Sequence, residues 1–279
     1  MRKIPAAKIS DTTAELCARA NIILRKDVLV LLRSARKKEK NCLAAAALDA
    51  ILENARAAAA ERTPLCQDTG LPYVFLEIGQ GVLITGCRLD AAVNNGVKRG
   101  YAFASCRQSV VSHPLSRSGS SYVPAVIHTD IVPGSKVRVT VFPKGFGSEN
   151  KTGLKMFRPT ESVDEVVDYV VSCAAKAGAD ACPPYIIGCG IGGGADTACL
   201  LAKKSLLRDV RKRSPDRLLR KMEKEILSKV NRLNIGPMGL GGRCTALAVN
   251  IEASPTHIAG LPAAVNISCH ALRSASAVI

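Results

Sequence analysis

Tyr185-Ile186-Ile187-Gly188-Cys189-Gly190-Ile191-Gly192-Gly193 admits opposed readings, and the architecture differs with the choice. Gly188 to Gly193 fits G-x-G-x-x-G, follows a strand-like run and precedes a helix. In a βαβ unit such a run cradles the pyrophosphate of a dinucleotide, which would make the chain an NAD(P)-dependent oxidoreductase. Otherwise it is a plain strand-to-helix turn, or a turn that brings backbone close to a bound anion or metal cluster at a helix N-terminus. The context selects a turn, in its anion- or cluster-approaching form. Two basic helices follow, where a dinucleotide site needs a prompt second parallel strand ending in an acidic residue. The candidate acids, Asp209 and Asp216, lie in or beside that basic stretch.

Upstream, Ser162 and Glu165 form a capping box, and Val163, Val166, Val167, Val170, Val171 and Ala174 make a helical stripe that ends at Gly178. Downstream, residues 216–233 place Leu219, Met222, Ile226 and Val230 on one helix face, and Thr245, Leu247, Val249 and Ile251 alternate as in a strand. Toward the N-terminus, residues 1–60 are helical in pattern, and the Ala-rich run 41–62 stops at Thr63-Pro64. Residues 73–85 read as two short strands around Gly79-Gln80-Gly81. Residues 125–131 and 136–142 read as a strand pair joined through Pro133-Gly134-Ser135. No repeat or long linker interrupts the chain. The expectation is a mixed α/β (α+β) fold, with helices packed around a mixed β-sheet. Residues 1–279 would form one domain or two closely packed lobes.

Composition narrows the function. No run of about 18 apolar residues occurs, so no membrane span is expected. The basic start is not followed by an apolar stretch, so no secretory signal is expected and the location is taken as cytoplasmic. Eleven cysteines, an odd number in a chain of 279 residues, read as reduced thiols rather than disulfide staples. The formal charge is +16, much of it in Arg33-Ser34-Ala35-Arg36-Lys37-Lys38 and Arg208-Asp209-Val210-Arg211-Lys212-Arg213. These runs read as solvated faces that also attract an acidic substrate; a nucleic-acid-binding protein is the competing reading. An aromatic content of 4% leaves few platforms for stacking bases.

The cysteines sort by context. Cys66, Cys182 and Cys269 lie in or beside turn-forming segments, where a thiolate can point into a site. Cys17, Cys42, Cys173 and Cys199 sit in helical patterns as core residues, while Cys87, Cys106, Cys189 and Cys244 are ambiguous. No C-x-x-C pair occurs, which excludes a zinc ribbon or a ferredoxin pattern. Spacing alone leaves a three-cysteine site open.

Pro64-Leu65-Cys66-Gln67-Asp68-Thr69-Gly70 resembles the PxCQDTG signature of the class I iron–sulfur fumarate hydratases and L(+)-tartrate dehydratases. Further segments are similar in the same order: Arg107-Gln108-Ser109-Val110-Val111, Lys144-Gly145-Phe146-Gly147-Ser148-Glu149-Asn150, Cys182-Pro183-Pro184 and Gly190-Ile191-Gly192-Gly193. Asn234-Ile235-Gly236-Pro237, Gly239-Leu240-Gly241-Gly242, Pro255-Thr256-His257 and the segment from Asn266 to Arg273 complete the series. The resemblance implies a [4Fe–4S] cluster on Cys66, Cys182 and Cys269. Three thiolates on four irons leave one iron open to act as a Lewis acid. It implies a hydro-lyase acting on a C4 dicarboxylate, with fumarate/malate first and tartrate second. Asp68 and His257 would handle the proton on the hydroxyl side. Their bland alternatives are an Asx turn and a satisfied core histidine. Arg107, otherwise a surface arginine, would clamp a carboxylate. Gln67, Glu149, Asn150, Thr152 and Lys155 would also face the substrate. The chain corresponds to the cluster-binding alpha part, so a separate beta subunit and an α₂β₂ heterotetramer are expected. Phe146 stands in place of a glycine of the family's KGGGSEN, and Ser118-Gly119-Ser120-Ser121 departs from an Asn/Asp-bearing segment. Both leave the preferred diacid open.

Overall fold

A computed structural model describes residues 1–279 as helices and three sheets. In chain order the first elements are β1 (Arg2–Pro5), α1 (Ala6–Ile22), α2 (Lys26–Lys38) and α3 (Cys42–Glu61). Next come β2 (Leu71–Gly79), β3 (Val82–Thr85), α4 (Leu89–Phe103), β4 (Val126–Val132) and β5 (Val137–Lys144). Then follow α5 (Phe146–Glu149), β6 (Gly153–Phe157), α6 (Val163–Ala177), β7 (Tyr185–Ile191) and α7 (Ala195–Ser205). The last are α8 (Arg217–Arg232), β8 (Ala246–Ala253), β9 (Leu261–Ser268) and β10 (Ala275–Val278). The mixed α/β class expected from the sequence is what the chain adopts. No helix is long and apolar enough to cross a membrane.

The chain divides into two compact units. The first comprises Met1–Arg25, Asn54–Phe146 and Arg273–Ile279. Its main sheet has the order β10-β5-β2-β4, with β4 parallel and β5 antiparallel to β2. Residues 125–131 and 136–142 are therefore not partners, contrary to expectation. β2 inserts between them because it carries the apolar run Val74-Phe75-Leu76, buried in the centre of the sheet. Nor do β2 and β3 pair with each other; β3 pairs in parallel with β1. Helices α1 and α4 come close because Gly96 and Gly100 carry no side chain. A Cβ on either would stand 2.4 Å from a backbone oxygen of α1.

The second unit comprises Lys26–Glu53 and Gly147–Leu272. Its sheet has the order β6-β9-β7-β8, with β8 parallel and β9 antiparallel to β7. The two faces of β7 differ. Tyr185, Ile187 and Cys189 join the core formed with Val166 and Val170 of α6 and Met222 and Ile226 of α8. Gly188 and Gly190 face α7, where a Cβ would meet the Ala202 and Ala198 carbonyl oxygens at 2.2 and 2.1 Å. The capping box of α6 is present, with the Ser162 hydroxyl accepting from the Glu165 N–H. Gly190→Ala is expected to force α7 off the sheet and to destabilise the fold by about 3 kcal/mol or more. Urea unfolding measures it, and a loss within experimental error would contradict the packing described.

One basic run differs from its expected role. In α2, Arg36 pairs with Asp49 at 2.7 Å on the surface. Arg208 does not lie on a solvated face. It bridges the fully buried Glu223 to Glu252, whose carboxylate it meets at 2.9 Å, and it donates to the Ile251 carbonyl at 3.2 Å. A buried carboxylate must be paired, and the Glu223 oxygens also accept from the Ser214 and Ile251 N–H groups at 2.9 and 3.0 Å.

Candidate functional site

In the first unit the segment 65–70 precedes β2 and is held on both sides of Cys66. The Leu65 N–H donates to the Asn21 carbonyl, and Asn54 Nδ2 donates to the Leu65 carbonyl, both at 2.9 Å. Arg273 Nη2 donates to the Asp68 carbonyl at 2.7 Å. Thr69 Oγ1 accepts from the Arg107 N–H at 3.0 Å and donates to its carbonyl at 3.3 Å. The Tyr101 hydroxyl lies 3.4 Å from the carbonyls of Thr69 and Gly70. Between these ties, Cys66 and Gln67 make no hydrogen bond. Gln67 is exposed and Cys66 half-buried.

The Asp68 carboxylate is oriented by backbone. Oδ1 accepts from the Gly70 N–H at 3.1 Å and Oδ2 from the Phe146 N–H at 2.7 Å. The Asx turn is thus present, and the same carboxylate also reaches across to the end of β5. Phe146 is 45% exposed, so its ring stands at the surface while its N–H holds Asp68. Lys144 beside it is buried. Arg107 is tied through its backbone, and its exposed guanidinium has no partner.

In the second unit the antiparallel pairing of β7 with β9 puts the start of one strand beside the end of the other, with Ile186 opposite Ser268. Cys182 precedes β7 and Cys269 follows β9, so topology brings their loops together. The His270 N–H and Nδ1 both donate to the Cys182 carbonyl, at 3.3 and 3.0 Å. Cys182 is held with φ at 51°, a conformation uncommon for a residue with a side chain. At the same end Asn266 Nδ2 donates to Glu149 Oε2 and Thr152 Oγ1, both at 2.8 Å, and Lys203 pairs with Glu149 Oε1. Asn150 is exposed nearby in sequence. Lys155 lies further along β6, paired with Glu161 at 3.2 Å and 4.0 Å above the Phe157 ring.

His257 lies at the other end of this sheet. The 7 residues of β7 separate it from the Cys182 end, at about 3.3 Å per residue. Its Nδ1 accepts from the Ala259 N–H at 3.2 Å, so the neutral ring carries its proton on the exposed Nε2. The glycine turn is also there, and it closes on this loop rather than on an anion. The Gly192 and Gly193 N–H groups donate to the carbonyls of Pro262 and Pro255, at 2.9 and 3.1 Å. Asp196 occupies the first turn of α7 and accepts from the Thr197 N–H at 2.7 Å. The anion-approaching reading therefore gives way to the plain turn. The dinucleotide reading loses its acids as well. A parallel strand, β8, does follow, but only after both helices, and Glu252 near its end is engaged by Arg208. Asp209 bonds Arg211, which pulls its carboxyl down to about 2, and Asp216 caps α8.

Among the remaining thiols Cys42 departs from its expected place in the core, because it is the first residue of α3 and stands exposed there. Burial pushes Cys189 and Cys244 up to about 12 and Cys106 up to about 11, and raises Cys17, Cys173 and Cys199. Cys42 and Cys87 are exposed. Iodoacetamide near about pH 8 is expected to modify Cys42 and Cys87 and to spare Cys17 and Cys189 in the folded chain. Peptide mass mapping checks this, and prompt labelling of Cys189 would contradict it. Sequence reasoning did not single out Asn21, Tyr101 or Lys203, which no local motif marks. Lys144, Asn266 and Arg273 stood inside quoted segments without a role.

A family model described as Fumarate hydratase (Fumerase) matches residues 10–278. A Methanocaldococcus jannaschii protein provisionally named L(+)-tartrate dehydratase subunit alpha is 41% identical over 275 residues, covering 96% of each chain. The L(+)-tartrate dehydratase subunit alpha of Escherichia coli K12 is 26% identical over 276 residues, 98% of this chain and 91% of its own. That of Escherichia coli UTI89 is 28% identical over 271 residues, 95% of this chain and 89% of its own.

Proposed function

This chain belongs to the fumarate hydratase (Fumerase) family of hydro-lyases, and on that premise we propose that it is the cluster-carrying alpha subunit of an enzyme that adds water to, or removes it from, a C4 dicarboxylate. Fumarate/malate and tartrate are the candidate substrates. Relatives are named as alpha subunits, which supports a separate partner subunit; that this partner is a beta subunit in an α₂β₂ assembly is part of the proposal.

The observation that carries the reading is the state of three loop cysteines. Cys66 and Gln67 are left untied inside a segment anchored on both sides, and the loops of Cys182 and Cys269 are hydrogen-bonded to each other. None of the three is in a disulfide. Single thiolates supplied by three different loops suit an iron–sulfur cluster, whose irons take cysteine ligands. Cys66, Cys182 and Cys269 would hold a [4Fe–4S] group. When bound, such a group supplies a Lewis acid toward the substrate's hydroxyl.

The chain's own residues do the rest. Asp68, with both carboxylate oxygens fixed by backbone N–H groups, holds the proton on the hydroxyl side. Arg107 presents an unpaired planar guanidinium to one substrate carboxylate, and Gln67 donates an amide N–H. Glu149 and Thr152 are tied to Asn266, so their part is to hold the loop bearing the exposed Asn150. Lys155, already paired with Glu161, contributes charge at the margin. His257 offers its Nε2 proton from the far end of its sheet, so in this reading it serves a site to which another chain brings the remaining groups. The carbon-bound proton is left to a base of the beta subunit. Anaerobic co-expression with that subunit, assayed on fumarate, malate and tartrate, tests the function. Turnover of one of them is expected, and no turnover by a brown, intact complex would overturn it.

A further inference from the structure

The side chain of Arg273 is out of place by ordinary packing rules. It is 2% exposed, no carboxylate pairs with it, and its Nε has no hydrogen-bond partner. Burying a cation in this way is costly, and an apolar side chain of similar volume would fill the space without that cost. Packing alone does not account for it. Its bonds do. Nη2 donates to the Asp68 carbonyl at 2.7 Å and Nη1 to Asn21 Oδ1 at 3.3 Å. The carbonyl of the same Asn21 accepts from Leu65 at the other end of the Cys66 segment, and its amide is fixed to the Cys17 carbonyl at 3.0 Å. One buried guanidinium thus joins α1 to the peptide after Asp68. Gly145 leaves it room. A Cβ there would lie 3.1 Å from Asp68 Oδ2 and 3.6 Å from Arg273 Nη2, between the two groups.

We propose that Arg273 is a positioning residue for the proposed reaction: through Asn21 and the Asp68 carbonyl it fixes segment 65–70, so that the Asp68 carboxylate and the Cys66 thiol keep one relative orientation. It touches neither substrate nor cluster in this role. The inference rests on the reading of Cys66 and Asp68 given above. The Gly70 and Phe146 N–H groups report on it directly, because both donate to the Asp68 carboxylate.

The test uses the full-length chain, first metal-free. Arg273→Met removes the charge and both bonds at similar size; Arg273→Lys keeps the charge but cannot span both acceptors. Amide hydrogen exchange at Gly70 and Phe146 is expected to speed up by about tenfold or more in both variants, with Val139 and Val141 of β5 unchanged. In the reconstituted complex, kcat is expected to fall by about 10- to 100-fold at unchanged iron content, with KM moving much less. Unchanged exchange at Gly70 and Phe146 would overturn the proposal. So would faster exchange spread over the whole unit, or an unfolded Arg273→Met beside a wild-type-like Arg273→Lys. Failure of the cluster reading is separable: full iron content in Cys66→Ser would sink that reading and leave the exchange result standing.

Discussion

Cys182→Ser is expected to abolish iron binding and to lower hydro-lyase activity by about a thousandfold or more, while the chain still folds. The substitution changes one atom. The Cys182 carbonyl, which holds His270, is untouched, and the left-handed backbone at this position is a cost that serine bears as cysteine does. Urea stability should therefore shift by less than about 1 kcal/mol. The alkoxide needed to replace a thiolate is unavailable near neutral pH, so an iron site loses one of its few protein ligands. Loss of a Lewis acid removes several kcal/mol of transition-state stabilisation, which sets the scale of the activity loss. Cys189→Ala on the neighbouring strand is the control. That thiol is fully buried against α6 and α8, and its loss should cost stability without changing iron content. Iron retained in Cys182→Ser would remove this residue from the site.

The second large effect belongs to Asp68→Asn. Two N–H donors, of Gly70 and Phe146, point at the two oxygens of Asp68. An asparagine offers one oxygen and one NH₂, so a donor meets a donor on one side. That mismatch should destabilise the chain by about 1–3 kcal/mol. As the proposed proton carrier, Asp68 should also account for about 10²- to 10⁴-fold in rate. The two losses are read separately, by denaturation and by kcat per intact cluster. If stability falls and kcat per cluster stays within about twofold, Asp68 is the hinge of an Asx turn and nothing more.

Much of the fold was legible from local chemistry. The capping box at Ser162 and Glu165 states its own geometry, and the valine stripe states the face that α6 buries. The partners of the strands were not legible. β9 is buried on both faces, with Ala263, Val265 and Ile267 on one side and Ala264 and Asn266 on the other, so no alternation marks it. The insertion of β2 between β4 and β5 is set by contacts distant in sequence, which a short turn at Gly134 cannot announce. At the candidate site, Cys66, Cys182 and Cys269 stood out because each adjoins a turn. Gln67, Asp68 and Arg107 came with their motifs. Arg273, Asn21 and Tyr101 support that segment from distant positions, and their spacing carries no pattern. The glycine run shows the reverse failure. Its match to a nucleotide fingerprint is formally complete, yet Gly188 and Gly190 make room for α7, and the N–H groups of Gly192 and Gly193 are already taken. The motif records a close approach, and only the fold says to what.

Three thiolates from separate loops of this chain are proposed to hold one cubane. Anaerobic reconstitution followed by iron and acid-labile sulfide analysis, with Mössbauer spectra, tests this most directly. About four irons and four sulfides per chain are expected in the wild type. One iron is expected to differ from the rest, and none to be retained when Cys66, Cys182 or Cys269 is changed to serine. A colourless chain, or a cluster that persists in any of those variants, would contradict the proposal.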